Sequence, residues 1–149
     1  MTRRDRSILL LAVAGASVDA VFLLVFGVLT AAQTGNTIIL AIAIAQGHVA
    51  AVLRSAVSVV GYVVGAAIGE LVIVGHSNFE RRPPAIGWTL VAELVPLGCL
   101  LAYWHLAGRE PAEGTVILLI VLATTSMGIQ SAAVLRLHAG PTTTYVTGT

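Results

Sequence analysis

Apolar residues follow one another along this chain in four long blocks. Each block is longer than the roughly 20 residues that a helix needs to cross a hydrocarbon core. The pattern predicts an all-α protein, a polytopic transmembrane bundle of about four long spanning helices, at about 7–29, 51–75, 87–107 and 114–137. Polar segments with proline separate the later blocks at 76–84 and 108–113, as expected for loops.

The first block begins like a secretory signal, because Arg6 precedes an apolar stretch and small residues follow. The apolar stretch of a signal ends after about 7–15 residues. Here it continues past Asp19 to Leu29. We therefore interpret the block as a first transmembrane helix that is not cleaved.

A polar segment at 30–37 precedes an apolar stretch at 38–45 that is too short to span a bilayer. We interpret this part as non-helical backbone at membrane depth that leads into a half-helix, with Asn36 as its N-cap. Such backbone is tolerated only where protein or a water-filled cavity covers it.

The arginines indicate whether this broken segment crosses the membrane. If it re-enters without crossing, Arg54 and Arg109 lie outside and the other six arginines lie inside. If it crosses, three of the eight lie outside. The positive-inside rule therefore favours re-entry, with a cytoplasmic N-terminus in the inner membrane.

Composition supports a membrane protein and excludes several other classes. Hydrophobic residues make up 57% of the chain and charged residues only 10%, whereas soluble domains carry roughly 25% charged residues. The net charge of +1 gives no field that would favour nucleic acid. The chain has no lysine and a single cysteine, Cys99, which excludes an intrachain disulfide.

An internal repeat emerges when the chain is shifted against itself by 113 positions. Residues 15–36 then align with 128–149 without a gap, and eight of the 22 pairs are identical, including the polar pattern Thr-x-x-x-Thr-Gly. We interpret the chain as one membrane domain, 1–149, with a first repeat at about 7–113 and an incomplete second repeat at 114–149. Three crossings and one re-entrant element per repeat would place the repeats in opposite orientation, as in many transporters, and a complete protein would contain both.

The same residues resemble a known family. The segments at 15–20, 30–37, 45–47, 127–131 and 142–149 are similar to the YoaK-like family of bacterial multi-pass membrane proteins, a domain of unknown function (DUF1275). The resemblance implies a membrane location and helices that continue beyond the second Thr-Gly motif. It implies no established activity.

The two Thr-Gly turns are the first candidate site. A half-helix that begins inside the membrane presents unpaired N–H groups and the positive end of its dipole, which suit an anion or a polar solute. The alternative is a structural break whose side chains satisfy their own backbone. The candidate binding residues are Thr30, Gln33, Thr34, Gly35, Asn36, Thr37, Thr143, Thr147 and Gly148.

Two carboxylates are candidates for coupling or gating. Asp19 is predicted near the midplane of its helix, where it must be paired, protonated or turned inward; its alternative role is a hydrogen bond to the Thr-Gly turn. The repeat places Ala132 opposite it. Glu93 and Glu70 lie near adjoining helix ends and would share a proton if they met, although interfacial acids are the simpler interpretation.

A ridge of Gly61, Gly65 and Gly69 predicts close helix packing, within the protein or in a homo-oligomer. No metal-ligand spacing, phosphate loop or nucleophile motif occurs, so we predict no enzyme activity and no cofactor. The leading hypothesis is a transporter or channel-like protein for a small solute or ion in the lipid bilayer. The alternative is a membrane scaffold that associates through the glycine ridge.

Overall fold

A computed structural model describes residues 3–75, 83–107 and 112–136. The predicted all-α class is confirmed, because within these ranges every regular element is a helix. The elements are α1 (Arg3–Phe26), α2 (Gln33–Gln46), α3 (Val49–Gly75), α4 (Pro83–Ala107) and α5 (Glu113–Arg136).

The break between α1 and α2 lies a few residues earlier than predicted. α1 ends at Phe26 because Gly27 adopts a left-handed backbone (φ 73°), which residues with a Cβ rarely adopt. α2 begins at Gln33, and Ala32 occupies its N-cap position without a side-chain hydrogen bond. The prediction of Asn36 as the N-cap is therefore wrong: Asn36 lies inside α2 and is buried.

Two of the described helices are long and apolar enough to cross a membrane. The spans are Val49–Val74 in α3, with a mean hydropathy of 2.2, and Glu113–Leu135 in α5, with 1.9. α1 and α4 contribute shorter apolar stretches, Gly15–Phe26 and Leu94–Leu106. The four predicted crossings thus remain a prediction for α1 and α4.

α5 is the central helix of the described bundle. About 72% of its apolar span is buried, against 28% for the span of α3. Large apolar side chains such as Leu24, Leu71 and Leu106 are more than 70% exposed. Apolar surface on this scale suits a lipid environment and would be a liability in water.

The predicted glycine ridge packs inside the chain, against α5. A Cβ on Gly61 or Gly65 would overlap Thr124 or Thr125, and one on Gly69 would lie 2.8 Å from the Cβ of Ala132. The two helix backbones can therefore approach closely, as small residues allow in membranes. α3 and α5 form the largest interface of the described structure.

Four helix ends meet at one end of the bundle, which we call the Arg54 end. The Arg54 guanidinium donates from Nη1 to the Phe26 carbonyl (3.3 Å) and from Nε to Glu113 Oε1 (2.7 Å). The ring of Phe26 lies 6.4 Å from that of Trp104. α1 and α4 therefore run towards the Arg54 end, and α3 and α5 run away from it.

Residues 27–32 lead the chain from the Arg54 end back to the level of Asp19, and α2 returns it to that end. Gly47, in a left-handed conformation (φ 70°), caps α2, and α3 begins two residues later. With 14 residues, α2 is about 21 Å long, which is shorter than the roughly 30 Å of a hydrocarbon core. α1 thus ends and α3 begins at the same end of the bundle, while the re-entry of α2 into a membrane stays a prediction.

Replacing Gly65 by leucine should disrupt the bundle. The new side chain would overlap the Thr125 backbone, and overpacking of this kind costs about 1–3 kcal/mol or more. We expect a clear fall in the thermal unfolding midpoint of the detergent-solubilised protein. Gly98→Leu is the control, since no atom lies within 4 Å of a Cβ there. Equal midpoints for the two variants would contradict the close packing of α3 on α5.

Candidate functional site

The candidate site is the polypeptide between α1 and α2, residues 27–32, which we call the break segment. None of its residues belongs to a helix, yet Val28, Thr30 and Ala31 are almost fully buried. Unpaired backbone N–H and C=O groups are costly away from water. The site is therefore defined by the groups that form hydrogen bonds with this backbone.

Asp19 accepts hydrogen bonds from three of the backbone N–H groups of the break segment, those of Thr30, Ala31 and Ala32. Asp19 Oδ1 accepts hydrogen bonds from the Thr30 amide (2.6 Å), the Thr30 hydroxyl (2.8 Å) and the Ala31 amide (2.7 Å). Asp19 Oδ2 accepts one from the Ala32 amide (3.1 Å). Hydrogen bonds to an ionised acceptor are stronger than neutral ones, so this carboxylate fixes the shape of the break segment.

Asp19 also complements the dipole of α2. Its carboxylate binds the backbone that enters the first turn of this helix, where a negative charge is favourable. An anion at this position would compete with the protein's own carboxylate. The Asp19 carboxylate thus occupies the position at which the first Thr-Gly turn was predicted to bind an anion.

Asn36 and Ser58 satisfy the other side of the break segment. The Leu29 amide donates to Asn36 Oδ1 (2.8 Å), and Asn36 Nδ2 donates to the Leu29 carbonyl (2.6 Å). The Ser58 hydroxyl, from α3, donates to the same carbonyl (2.7 Å) and accepts from Asn36 Nδ2 (2.7 Å). Asn36 and Ser58 are fully buried, so this network links the break segment to both α2 and α3.

The remaining candidates of the first turn divide into two groups. Gln33 belongs to the network, since its Nε2 donates to the Thr30 carbonyl (2.9 Å) and its Oε1 accepts from Asn36 (3.0 Å). Thr34 and Thr37 are exposed on α2, and the Thr37 hydroxyl donates to the Gln33 carbonyl within the helix (3.0 Å). A Cβ at Gly35 would meet only the Leu29 side chain.

Asp19 lies closer to a helix end than predicted. α1 ends at Phe26, seven residues after Asp19, so Asp19 is about 10 Å from that end of the helix. The prediction placed it at the centre because the apolar run continues to Leu29. The left-handed turn at Gly27 ends the helix before that run does.

Other predicted site residues are not brought to this network. Thr143, Thr147 and Gly148 lie outside the described residues, as does the side chain of Glu93, whose backbone belongs to α4. Glu70 is half-buried on α3 and makes an interaction there. Among the described residues, no group of three or more histidine, cysteine, aspartate or glutamate side chains could hold a metal ion.

Sequence reasoning missed two contributors, Ser58 and Arg54. Ser58 was not among the candidate residues, and Arg54 was considered only for its effect on topology. Their spacing gives a weak signal, because Arg54, Ser58 and Gly61 recur at helical intervals that place them on one face. The identity of their partners, Leu29 and Glu113, depends on tertiary packing.

A cleft opens at the Arg54 end, between the last turn of α1 and the start of α3. Its volume is about 580 Å³, and its lining residues are at 23–27, 48–51 and 54. The polar residues of the first Thr-Gly turn do not line it. Arg54 contributes the cationic group, already bound to Glu113, and most other lining side chains are apolar.

Comparisons with known proteins agree with the resemblance. The family described as "Protein of unknown function (DUF1275)" matches residues 7–149. The chain is 33% identical over 151 residues to the UPF0700 transmembrane protein YoaK of Bacillus subtilis (strain 168). The alignment covers 98% of this chain and 64% of that relative, so the chain spans just under two thirds of its length. No solved structure matches.

Removing the Asn36 amide should destabilise the protein more than removing the Ser58 hydroxyl. Asn36→Ala leaves the Leu29 amide unpaired, which costs about 1–3 kcal/mol, whereas Ser58→Ala leaves the Leu29 carbonyl one remaining bond and costs about 1 kcal/mol. The measurement is the free energy of unfolding in detergent micelles.

Ser17→Ala is the control for this comparison. The Ser17 hydroxyl is exposed and donates to the Val13 carbonyl of its own helix (2.8 Å), so its loss should change stability by less than about 0.5 kcal/mol. The buried network would be contradicted if Asn36→Ala had no larger effect than Ser17→Ala.

Proposed function

Because the chain belongs to the DUF1275 family and is a membrane protein, we propose that it forms part of a bacterial inner-membrane transporter or channel for a small polar or anionic solute. The observation that carries the proposal is the break segment, whose buried backbone is held by Asp19, Asn36 and Ser58; the proposal puts this segment at membrane depth. In this proposal the break segment and α2 are the moving part.

The topology of the proposal has four crossings, α1, α3, α4 and α5, with α2 re-entrant. The N-terminus is cytoplasmic and the Arg54 end faces the outside. This orientation is supported by the arginine distribution and by the return of α2 to the end at which α1 finishes. The short α2 can then tilt without moving the core, because among the described residues it packs on α3 and on no other helix to a comparable extent.

The buried network argues for movement rather than for mere packing. A structural span could use an uninterrupted helix, which satisfies every backbone group internally. Here the chain instead uses four polar side chains to stabilise a break, those of Asp19, Thr30, Asn36 and Ser58. Broken helices of this kind provide binding and gating elements in transporters, so the network is best explained as a state that the protein leaves and regains.

Asp19 is the coupling or gating group in this scheme. An ionised carboxylate only accepts hydrogen bonds, whereas a protonated one carries a donor as well. Protonation would place that donor among the N–H groups of Thr30, Ala31 and Ala32 and would weaken their hold. A solute anion could release the break segment in another way, by replacing the carboxylate at the same amides.

The glycine ridge is not available to bind another protein, as the scaffold alternative requires. It required Gly61, Gly65 and Gly69 to face another protein, but α5 occupies this ridge. Among the described residues, no other observation favours a scaffold over a transporter. A homo-oligomer formed through a different face is compatible with the proposal.

Flux into proteoliposomes tests the proposal. We expect the purified protein to move at least one member of a panel of inorganic anions, cations and polar metabolites. Asp19→Asn should reduce that flux by about tenfold or more, because an amide exchanges one acceptor oxygen for a donor nitrogen and removes the charge, and charge-assisted bonds are worth about 1.5–3 kcal/mol. Cys99→Ser, at an exposed position on α4, should transport like the wild type.

Two results would reject the transporter. One is the absence of flux for every member of the panel from protein that is folded and correctly inserted. The other is a flux that Asp19→Asn and Gly35→Leu both leave unchanged. Either result would mean that the hydrogen-bond network has only a structural role.

A further inference from the structure

One face of α5 changes from apolar to polar with distance from the Arg54 end. Nearer that end the face carries Leu119 and Ala123, which belong to the apolar cluster that includes two phenylalanines of α1. Ser126 and Gln130 continue the same face, because residues at intervals of three and four share one side of a helix. Two polar side chains therefore follow the apolar cluster within the next two turns.

These two side chains are buried without partners. The Ser126 side chain is fully buried, and its hydroxyl has no hydrogen-bond partner in the described structure. The Gln130 side chain is only 9% exposed, and none of the hydrogen bonds between described residues reaches its amide. Thr124 on the same helix differs, since its hydroxyl donates to the Ile120 carbonyl (2.8 Å). Unpaired polar groups inside a native protein are rare and commonly mark a bound water or ion.

α4 adds a third polar group, the backbone carbonyl of Ala92. Pro96 lies inside α4 and is buried. Because proline has no N–H, it cannot donate to the Ala92 carbonyl, as another residue at this position of a helix would. Leu100 and Tyr103 pack against the apolar cluster of α5, and Pro96 and Ala92 continue that side of α4. The side of α4 that carries this carbonyl therefore faces α5.

The lengths of α4 and α5 place the three groups at similar depth. α4 finishes at the Arg54 end with Ala107, and α5 starts there with Glu113. Ala92 precedes Ala107 by fifteen residues, so its carbonyl lies about 22 Å from the Arg54 end. Ser126 and Gln130 follow Glu113 by thirteen and seventeen residues, which places them at about 20 Å and 26 Å. The carbonyl thus lies at a level between the two side chains.

We propose that the Ser126 hydroxyl oxygen, the Gln130 side-chain oxygen and the Ala92 carbonyl bind a monovalent metal or ammonium cation. A carbonyl can only accept, so a ligand shared by all three groups must offer positive charge or several donors. Divalent ions are bound mainly through carboxylates. Neutral oxygens from interrupted helices and from backbone carbonyls coordinate Na⁺ and K⁺ in membrane proteins.

The cation site is separate from the break segment and goes beyond the proposed transport function. Asp19 lies about 10 Å from the Arg54 end, and the cation site lies about twice as far from it. A bound cation would join α4 to α5 at the level of the interrupted helix. Because binding can be measured without flux, a protein that fails to transport can still show the cation site, and the reverse also holds.

Thermal unfolding in different salts tests the site, in detergent-purified protein produced at its natural length in its own host. Sodium, potassium, ammonium and magnesium chloride are compared with choline chloride at equal ionic strength, since choline is too large for a site between packed helices. We expect at least one of the three small monovalent cations to raise the unfolding midpoint by about 2 °C or more, because a ligand of the folded state alone stabilises it. Equal midpoints in all salts, or a rise with magnesium alone, would overturn the proposal.

Matched variants locate the site. Ser126→Ala should abolish the rise caused by the cation yet leave the midpoint in choline unchanged or higher, because it removes an unpaired buried hydroxyl. Gln130→Leu should abolish the rise as well, and Ser126→Ala alone decides if that variant fails to fold. The control is Ser55→Ala, since Ser55 on α3 is also fully buried without a partner in the described structure; it should keep the full rise. A rise that survives in Ser126→Ala, or that Ser55→Ala abolishes equally, would overturn the proposal.

Discussion

The structure depends on one constraint: backbone that is not helical must find hydrogen-bond partners where no water is present. Residues 27–32 meet it with three side chains from three helices. Asp19 on α1 takes the amides of Thr30, Ala31 and Ala32, while Asn36 on α2 and Ser58 on α3 take both polar groups of Leu29. Because these partners come from different helices, the network sets the relative heights of α1, α2 and α3 as well as the shape of the turn.

The second organising element is the contact between α3 and α5. Glycines on both helices let the backbones touch, and hydroxyl groups supply directional contacts along the seam. The Tyr62 hydroxyl donates to Ser131 Oγ (2.6 Å), and the Thr125 hydroxyl donates to the Gly61 carbonyl (3.3 Å). Packing of this type does not rely on a hydrophobic driving force, which is absent between helices in lipid. It gives α2 a rigid support, since α3 is held firmly from its other side.

Much of the fold follows from the sequence, because long apolar runs dictate helices and a polar interruption dictates a break. The helices at α1, α3, α4 and α5 and the half-helix at α2 were predicted within a few residues. The position of the break was not, because a left-handed residue such as Gly27 can end a helix inside an apolar run. A hydrogen bond between Asp19 and the Thr-Gly turn was one of the two roles that the sequence suggested for this residue. Ser58 could not be assigned to Leu29, nor the glycine ridge to α5, since both depend on which helices become neighbours in space.

The contacts of Arg54 also have a consequence for biogenesis. The bonds that Asn36 and Asp19 make to residues 27–32 join groups close in the chain: Asn36 is seven residues from Leu29, and Asp19 is eleven to thirteen from its partners. They can form as soon as the first two helices have left the ribosome. Arg54 and Glu113 are 59 residues apart, so the guanidinium enters the membrane surface with only the Phe26 carbonyl as a protein partner. During synthesis the hydrogen bonds of Asp19 and Asn36 to residues 27–32 thus form first. The Arg54–Glu113 ion pair forms only after α5 has been made.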